Sequence, residues 1–157
     1  MPGPEWTLRP AAETDRDFLF ELNKAAMGPY VAATWGWDED EQIAFFDARF
    51  DPARHQIVRI AGADVGVLEV EERPDEIHLA RIALLPEWQG RSIGTSIIGS
   101  ILRRAADSGR PVTLRVLRRN PRAIALYESL GFTSTRQSDT HVFMQAQPMD
   151  ETHAPRR

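Results

Sequence analysis

The stretch Leu84-Leu85-Pro86-Glu87-Trp88-Gln89-Gly90-Arg91-Ser92-Ile93-Gly94-Thr95 decides the fold, because it passes from a strand-like run straight into a helix-like one. Ahead of it, residues 76–85 carry Ile77, Leu79, Ile82 and Leu84 behind the turn Arg73-Pro74-Asp75, the pattern of a strand. Behind it, over residues 92–107, Ile93, Ile97, Ile98, Ile101, Leu102 and Ala105 recur at the spacing of a helix packed on a sheet. A chain delivered directly to a helix N-terminus leaves the first helical N–H groups without intrahelical partners, aimed at one spot and backed by the positive end of the helix dipole. Such an end binds anions. Gly90 permits the tight turn, and Gly94 removes a side chain where a phosphate or a packed strand must come close. Gln89 and Arg91 can add hydrogen bonds and charge. The turn is neither a G-x-x-x-x-G-K-[ST] loop nor a full G-x-G-x-x-G fingerprint.

The strand before the turn has a flaw in its alternation. Ile77 and Leu79 share one parity and Ile82 and Leu84 the other, so a strict strand cannot place all four on one face. Either a β-bulge near Ala80-Arg81 restores a common apolar face and turns His78, Arg81 and Ala83 the other way, or both faces are buried. After the long helix, Gly109 marks a stop and 112–117 reads as a buried strand, so strand, helix and strand form a right-handed crossover with the strands parallel. A helix over 122–130 ends at Gly131, and 132–137 with 141–147 reads as a hairpin.

Toward the N-terminus, 6–9 is a short strand ended by Pro10. A helix is predicted over 15–27, where Phe18, Leu19, Leu22 and Ala26 recur, with Gly28-Pro29 stopping it. The aromatic turn Thr34-Trp35-Gly36-Trp37 leads to a second helix capped by Asp38 and reaching Arg49. Strands over 56–60 and 64–71 flank a turn at Gly62. The expected fold is α/β (α+β): a single domain over 1–147 with a mixed central sheet of about seven strands flanked by about four helices, a bulged strand preceding the phosphate turn. The remaining 148–157 reads as a loose polar tail.

A chain of 157 residues is long enough for one real core. It has no cysteine, hence neither a disulfide framework nor a thiolate nucleophile, which suits a reducing, cytoplasmic setting. The histidines, His55, His78, His141 and His153, lack the i, i+4 spacing of a helical zinc site, and no metal is expected. Nineteen basic residues against 23 acidic ones give a formal charge of −4, which speaks against broad nucleic-acid binding. Arg103, Arg104, Arg110, Arg115, Arg118, Arg119 and Arg122 crowd one stretch, while acids gather at 38–41 and 69–76. The basic stretch is either a place to meet a phosphorylated cofactor or an ordinary solvated surface. No apolar run is long enough for a transmembrane span or signal peptide.

Two segments then carry a resemblance. Gln89-Gly90-Arg91-Ser92-Ile93-Gly94 resembles the Q/R-x-x-G-x-G/A signature of the GNAT superfamily of acyl-CoA-dependent N-acyltransferases, with Ser92 standing where the first signature glycine usually is. Asn120-Pro121-Arg122-Ala123-Ile124-Ala125-Leu126-Tyr127-Glu128-Ser129-Leu130-Gly131-Phe132 is similar to the closing N-x-x-A-x-x-L-Y-x-x-x-G-F segment of that family, and Leu8-Arg9-Pro10-Ala11 to its first strand. The resemblance implies acetyl-CoA as cofactor and CoA as product. It implies main-chain contacts to the cofactor at Ile82, Ala83 and Leu84, pyrophosphate contacts along Gln89, Gly90, Arg91, Ser92, Ile93, Gly94 and Thr95, and further contacts at Asn120, Ala123 and Tyr127. A homodimer is a further expectation by similarity.

Acetyl transfer from a thioester to an amine needs a neutral nucleophile, a polarised carbonyl and a proton for the departing sulfur. Tyr127 is either a core-edge tyrosine or the general acid; a phenol with a pKa of about 10 is protonated near pH 7, and the resemblance favours the acid. Asn120 before Pro121 is an ordinary helix start, and in the family the matching Asn also bonds the pantetheine arm. Backbone N–H groups near residues 82–84, freed from a ladder, can bond the thioester oxygen. Some family members carry an acid eleven positions before the signature Gln, a position held here by His78. An imidazole with a pKa near 6.5 can serve as base; Glu69 and Glu71 are rivals, and the amine can instead lose its proton to solvent.

The acceptor, a small-molecule or peptide amine, would enter beside the N-terminal helices. Trp35, Trp37, Glu69 and Arg81 are the substrate-binding candidates. Tyr30, Phe45 and Phe46 join the two tryptophans in an aromatic concentration that is either packing under a loop or a pocket lining, and the acidic runs would attract a cationic acceptor. The competing function is a non-catalytic acyl-CoA-binding regulatory module.

Overall fold

The computed structural model describes residues 5–148. A seven-stranded mixed sheet carries four α-helices, in the order β1 (Thr7–Pro10), α1 (Arg16–Trp35), α2 (Glu39–Arg49), β2 (Gln56–Ile60), β3 (Ala63–Glu72), β4 (Ile77–Leu84), α3 (Ile93–Ser108), β5 (Val112–Leu117), α4 (Pro121–Ser129), β6 (Thr133–Gln137) and β7 (His141–Ala146). The strands follow one another as β1-β2-β3-β4-β5-β7-β6. The expected loose tail lies outside the described residues, apart from Pro148.

By internal contacts the chain forms two compact units, one of residues up to Val70 with Arg81–Gly94, the other of Glu71–Ala80 with the chain from Thr95 onward. In the first, β1 and β2 pair antiparallel, as do β2 and β3. Its core joins Leu19 and Leu22 of α1 to Ile57, Val67 and Ala83, with Phe18, Phe46 and Phe50 packed at the margin. The run Val65 to Leu68 is buried throughout, so the middle of β3 is covered on both faces. The end of β4 is covered likewise, since the neighbours Ala83 and Leu84 are both buried.

Helix α1 corrects the sequence reading. It does not stop at Gly28-Pro29 but runs through Pro29 to Trp35, taking in Thr34 and Trp35 of the expected aromatic turn. Proline disfavours helix in the residue before it chiefly through that residue's Cβ and N–H, and Gly28 has no Cβ. The helix therefore forgoes one hydrogen bond at Pro29 and resumes: the Thr34 hydroxyl donates to the Tyr30 carbonyl, and the Gly36 N–H closes the end on Ala32. Helix α2 starts as read, with the Asp38 carboxylate accepting from the Glu41 N–H at 2.9 Å.

In the second unit, β4 and β5 are parallel, with Ile77 beside Val112 and His78 beside Thr113; β5 and β7 are antiparallel along their whole lengths. The stripe on α3 is buried at Ile93, Ile97, Ile98, Ile101 and Ala105, with Leu102 only partly so, and Val112, Leu114, Val116, Val142, Met144 and Phe132 are buried too. Strand β6 pairs with β7 and is exposed along its length.

Candidate functional site

The turn from β4 into α3 is built from residues of the first unit. After Leu84 a single 3-10 turn, Pro86–Trp88, brings the chain round, and the Gln89 side chain donates from Nε2 to the Leu84 carbonyl at 2.9 Å. Gln89 thus ties the turn to the strand end, which leaves its Oε1 as the outward polar atom. Gly90 has φ +72° and Ser92 φ +65°, on either side of Arg91, so the backbone reverses sense twice in three residues. Such alternation turns successive N–H groups to one side and makes anion-binding concavities. Gln89, Gly90, Arg91, Ser92 and Thr95 are exposed, Gly94 is partly so and Ile93 is buried. The Arg91 guanidinium lies over the Trp88 ring, 4.9 Å from its centroid.

Ser92 does not act as an ordinary helix cap, because a capping residue has extended backbone and Ser92 is left-handed. Gly94 has room: a Cβ there would meet only Leu84 Cδ1, at 3.9 Å. Packing among the described residues therefore does not demand glycine at 94. Gly66 is the opposite case. A Cβ there would lie 2.5 Å from the Ala83 carbonyl oxygen and 2.6 Å from Leu84 Cδ2, so β3 keeps glycine to let the strand that feeds the turn come close. An isolated glycine inside a strand is the signal for this. The backbone of the exposed residues Gly90, Arg91 and Ser92, the Arg91 side chain and the bare Cα of Gly94 fit a pyrophosphate.

The second unit holds Asn120, Ala123, Tyr127 and His78. Asn120 is buried and caps α4, its Oδ1 accepting from the Ala123 N–H at 3.1 Å, which leaves its Nδ2 to donate elsewhere. Tyr127 is half-buried, with its ring edge-on to Phe132 at 5.7 Å. Burial pushes its phenol up to about 12, and among the described residues none hydrogen-bonds its hydroxyl. The ordinary reading, a core-edge tyrosine with a protein partner, finds no such partner among the described residues. Helix α4 as a whole buries no residue, and Leu126 is exposed.

His78 is half-buried and its Nδ1 meets the Thr113 hydroxyl at 2.9 Å. Burial first, then Arg73 and Arg115, lower its pKa against the opposing pull of Glu71 and Glu76, so the ring is neutral at pH 7. The rival bases are committed. Glu69 lies 3.4 Å from His55 Nε2, and the hydrogen bond with that ring holds its carboxyl below the usual range. Glu71 takes Arg73 at 2.8 Å.

Other sequence candidates scatter. Arg81 donates to Asn23 Oδ1 at 2.6 Å and its charge reaches Glu69, so these two share a neighbourhood with His55. Trp37 donates to Glu39 at 2.8 Å, while Trp35 is 60% exposed. Phe46 packs with Phe20 and Phe50, which makes it part of the core margin. The acidic and basic stretches do not stay apart: Arg104 and Arg110 both reach Glu72, at 2.9 and 3.0 Å, and Lys24 reaches Glu39. Simple attraction for a cationic acceptor is weakened accordingly. Sequence reasoning missed His55, Asn23, Glu76 and Thr113. Only Glu76 had a local signal, two residues before His78 and hence on the same face of an extended chain. Among the described residues no group of His, Asp and Glu could hold a metal ion, and no helix is long and apolar enough to cross a membrane.

The family model described as the acetyltransferase (GNAT) family matches residues 16–132. A mycothiol acetyltransferase from Nocardiopsis dassonvillei is 44% identical over 94 residues, which cover 59% of this chain and 27% of that protein; the chain thus spans about a quarter of the curated relative it matches. Among solved structures, the PaiA N-acetyltransferase of Thermoplasma acidophilum in complex with coenzyme A superposes with a TM-score of 0.74 at 15% identity, covering 91% of this chain and 99% of that one. The ribosomal-protein-S18-alanine N-acetyltransferase of Escherichia coli does so with a TM-score of 0.64 at 20% identity, covering 96% and 99%. Likeness at such identity speaks for the fold.

Proposed function

The chain belongs to the acetyltransferase (GNAT) family, whose cofactor is acetyl-CoA, and from that premise we propose that it is an N-acetyltransferase acting on a small-molecule or peptide amine by direct attack. Acetyl-CoA supplies an acetyl group activated as a thioester. The backbone N–H groups from Gly90 to Gly94 would hold the pyrophosphate, helped by Arg91 and the Gln89 side chain, and Asn120 Nδ2 with the Ala123 segment would orient the pantetheine arm. Main-chain groups of Ile82 and Leu84, with Ala83 between them, would align the thioester, and the N–H groups of Ile82 and Leu84 would stabilise charge on its oxygen. His78 Nε2 takes the proton of the incoming ammonium, and Tyr127 Oη holds the proton delivered to the sulfur.

The observation that carries this reading is the commitment of the titratable groups. Glu69 is hydrogen-bonded to His55 and Glu71 is ion-paired with Arg73, burial keeps His78 neutral, and the Tyr127 phenol stays protonated with no acceptor among the described residues. The test is release of CoA thiol from acetyl-CoA across a panel of amines, with Tyr127→Phe and His78→Ala beside the wild type. Turnover on at least one amine, reduced about 100-fold or more in Tyr127→Phe, is expected. Tight CoA binding with no turnover on any amine would instead mark a binding module.

A further inference from the structure

We propose that Thr113 and Glu76 are positioning residues that hold His78 in a single tautomer, with the lone pair on Nε2. This rests on the reading of His78 as the group that takes the acceptor's proton, and it names the residues that make that possible. The parallel register sets Thr113 directly beside His78, with Thr113 Oγ1 2.9 Å from His78 Nδ1. The same hydroxyl donates to Glu76 Oε2 at 2.6 Å. A threonine hydroxyl has one hydrogen and an ionised carboxylate can only accept, so that hydrogen is spent on Glu76. Thr113 Oγ1 can then only accept from the ring, and Nδ1 must carry the hydrogen. Neutral His78 is left with its lone pair on Nε2, the tautomer that free imidazole disfavours.

Glu76 is itself anchored. Its Oε2 also accepts from Arg73 at 3.0 Å, and the other arm of Arg73 reaches Glu71 at 2.8 Å. The charged groups around the ring are thus Glu71 from β3, Arg73 from the following turn, Glu76 just before β4 and Arg115 from β5. When an ammonium gives one proton to Nε2, it becomes a neutral amine and the ring an imidazolium. The Nδ1–H bond to Thr113 persists, and the Glu76 carboxylate behind it favours the new positive charge. The arrangement orients the base and fixes which nitrogen acts, without either residue touching the acceptor.

The experiment has two readouts on the full chain. In a long-range 1H–15N correlation spectrum above the His78 pKa, with its resonance assigned by loss in His78→Ala, Nδ1 should appear protonated and Nε2 bare. Thr113→Val, which keeps the β-branched shape, should return the ring to the Nε2–H form and lower kcat about 10-fold or more, as the wrong tautomer does in other bases. Thr113→Ser should restore both. Glu76→Gln removes a carboxylate that favours the imidazolium, so the acid limb of kcat/KM should move to lower pH. A wild-type ring protonated on Nε2, or a Thr113→Val protein that keeps both tautomer and rate, overturns the proposal. A wild type that turns over no amine while the spectrum is as expected overturns the N-acetyltransferase reading and leaves the tautomer assignment standing, because the spectrum needs no substrate.

Discussion

Ser92 is the residue at which local energetics and the binding turn conflict most openly. Its φ of +65° costs a side chain with a Cβ roughly 1–2 kcal/mol, and the left-handed backbone denies it the usual return of a helix cap. Ser92→Gly relieves that strain but enlarges the unfolded ensemble by roughly 0.4–1 kcal/mol. The net expectation is a gain of about 0.5–1 kcal/mol and a Tm higher by a few degrees; a lower Tm would mean that the hydroxyl has a structural partner. His78 and Tyr127 set the pH dependence. Burial disfavours the imidazolium of His78, so kcat/KM should rise with pH through a value below the ordinary histidine pKa of about 6.5 and be level by pH 7. Tyr127, pushed up to about 12, stays protonated and adds no falling limb below about pH 10. An acid limb centred above pH 7 would remove His78 as the base.

Among the elements, two glycines of the first unit, Gly66 in β3 and Gly94 at the start of α3, meet opposite surroundings. Gly66→Ala drives a Cβ to 2.5 Å from the Ala83 carbonyl, a backbone atom that cannot rotate away. Its cost should be about 2–3 kcal/mol or more, seen as a Tm lower by several degrees. Gly94→Ala meets only Leu84 Cδ1 at 3.9 Å, and alanine is the better helix former by up to about 1 kcal/mol. The ligand-free protein should keep or gain stability while CoA binding weakens, as titration calorimetry would report. A ligand-free Tm that falls would return Gly94 to a packing role. Helix α1 teaches the converse lesson about punctuation: Gly28-Pro29 reads as a stop, yet the pair is tolerable inside a helix because glycine removes the clash that proline inflicts on its predecessor.

For the whole molecule the expected signature of function is linkage. A ligand that binds only the native state stabilises it by about 2.7 kcal/mol at a hundredfold excess over its Kd. CoA should therefore raise Tm progressively with concentration, and unrelated nucleotides should not; equal shifts with both would point to a generic phosphate binder. Most of the architecture was legible in the chain, because periodicity reports burial directly: the α3 stripe Ile93, Ile97, Ile98, Ile101 and Ala105 lies buried as spaced, and the Asp38 and Asn120 caps form where they are read. The turn and the closing helix were legible too as structural elements, since each is formed by contiguous backbone. Pairings across long sequence separations were not. Glu72 neutralises Arg104 and Arg110, His55 engages Glu69, and Thr113 meets His78 across 35 positions of chain. By itself the sequence determined the order of elements and the tight turn from β4 into α3, for these follow from local periodicity and chain geometry. Only the tertiary structure decided which charges are spent and which nitrogen of His78 is free, because a hydrogen-bond partner is chosen by sheet register, and register joins residues that local sequence does not connect.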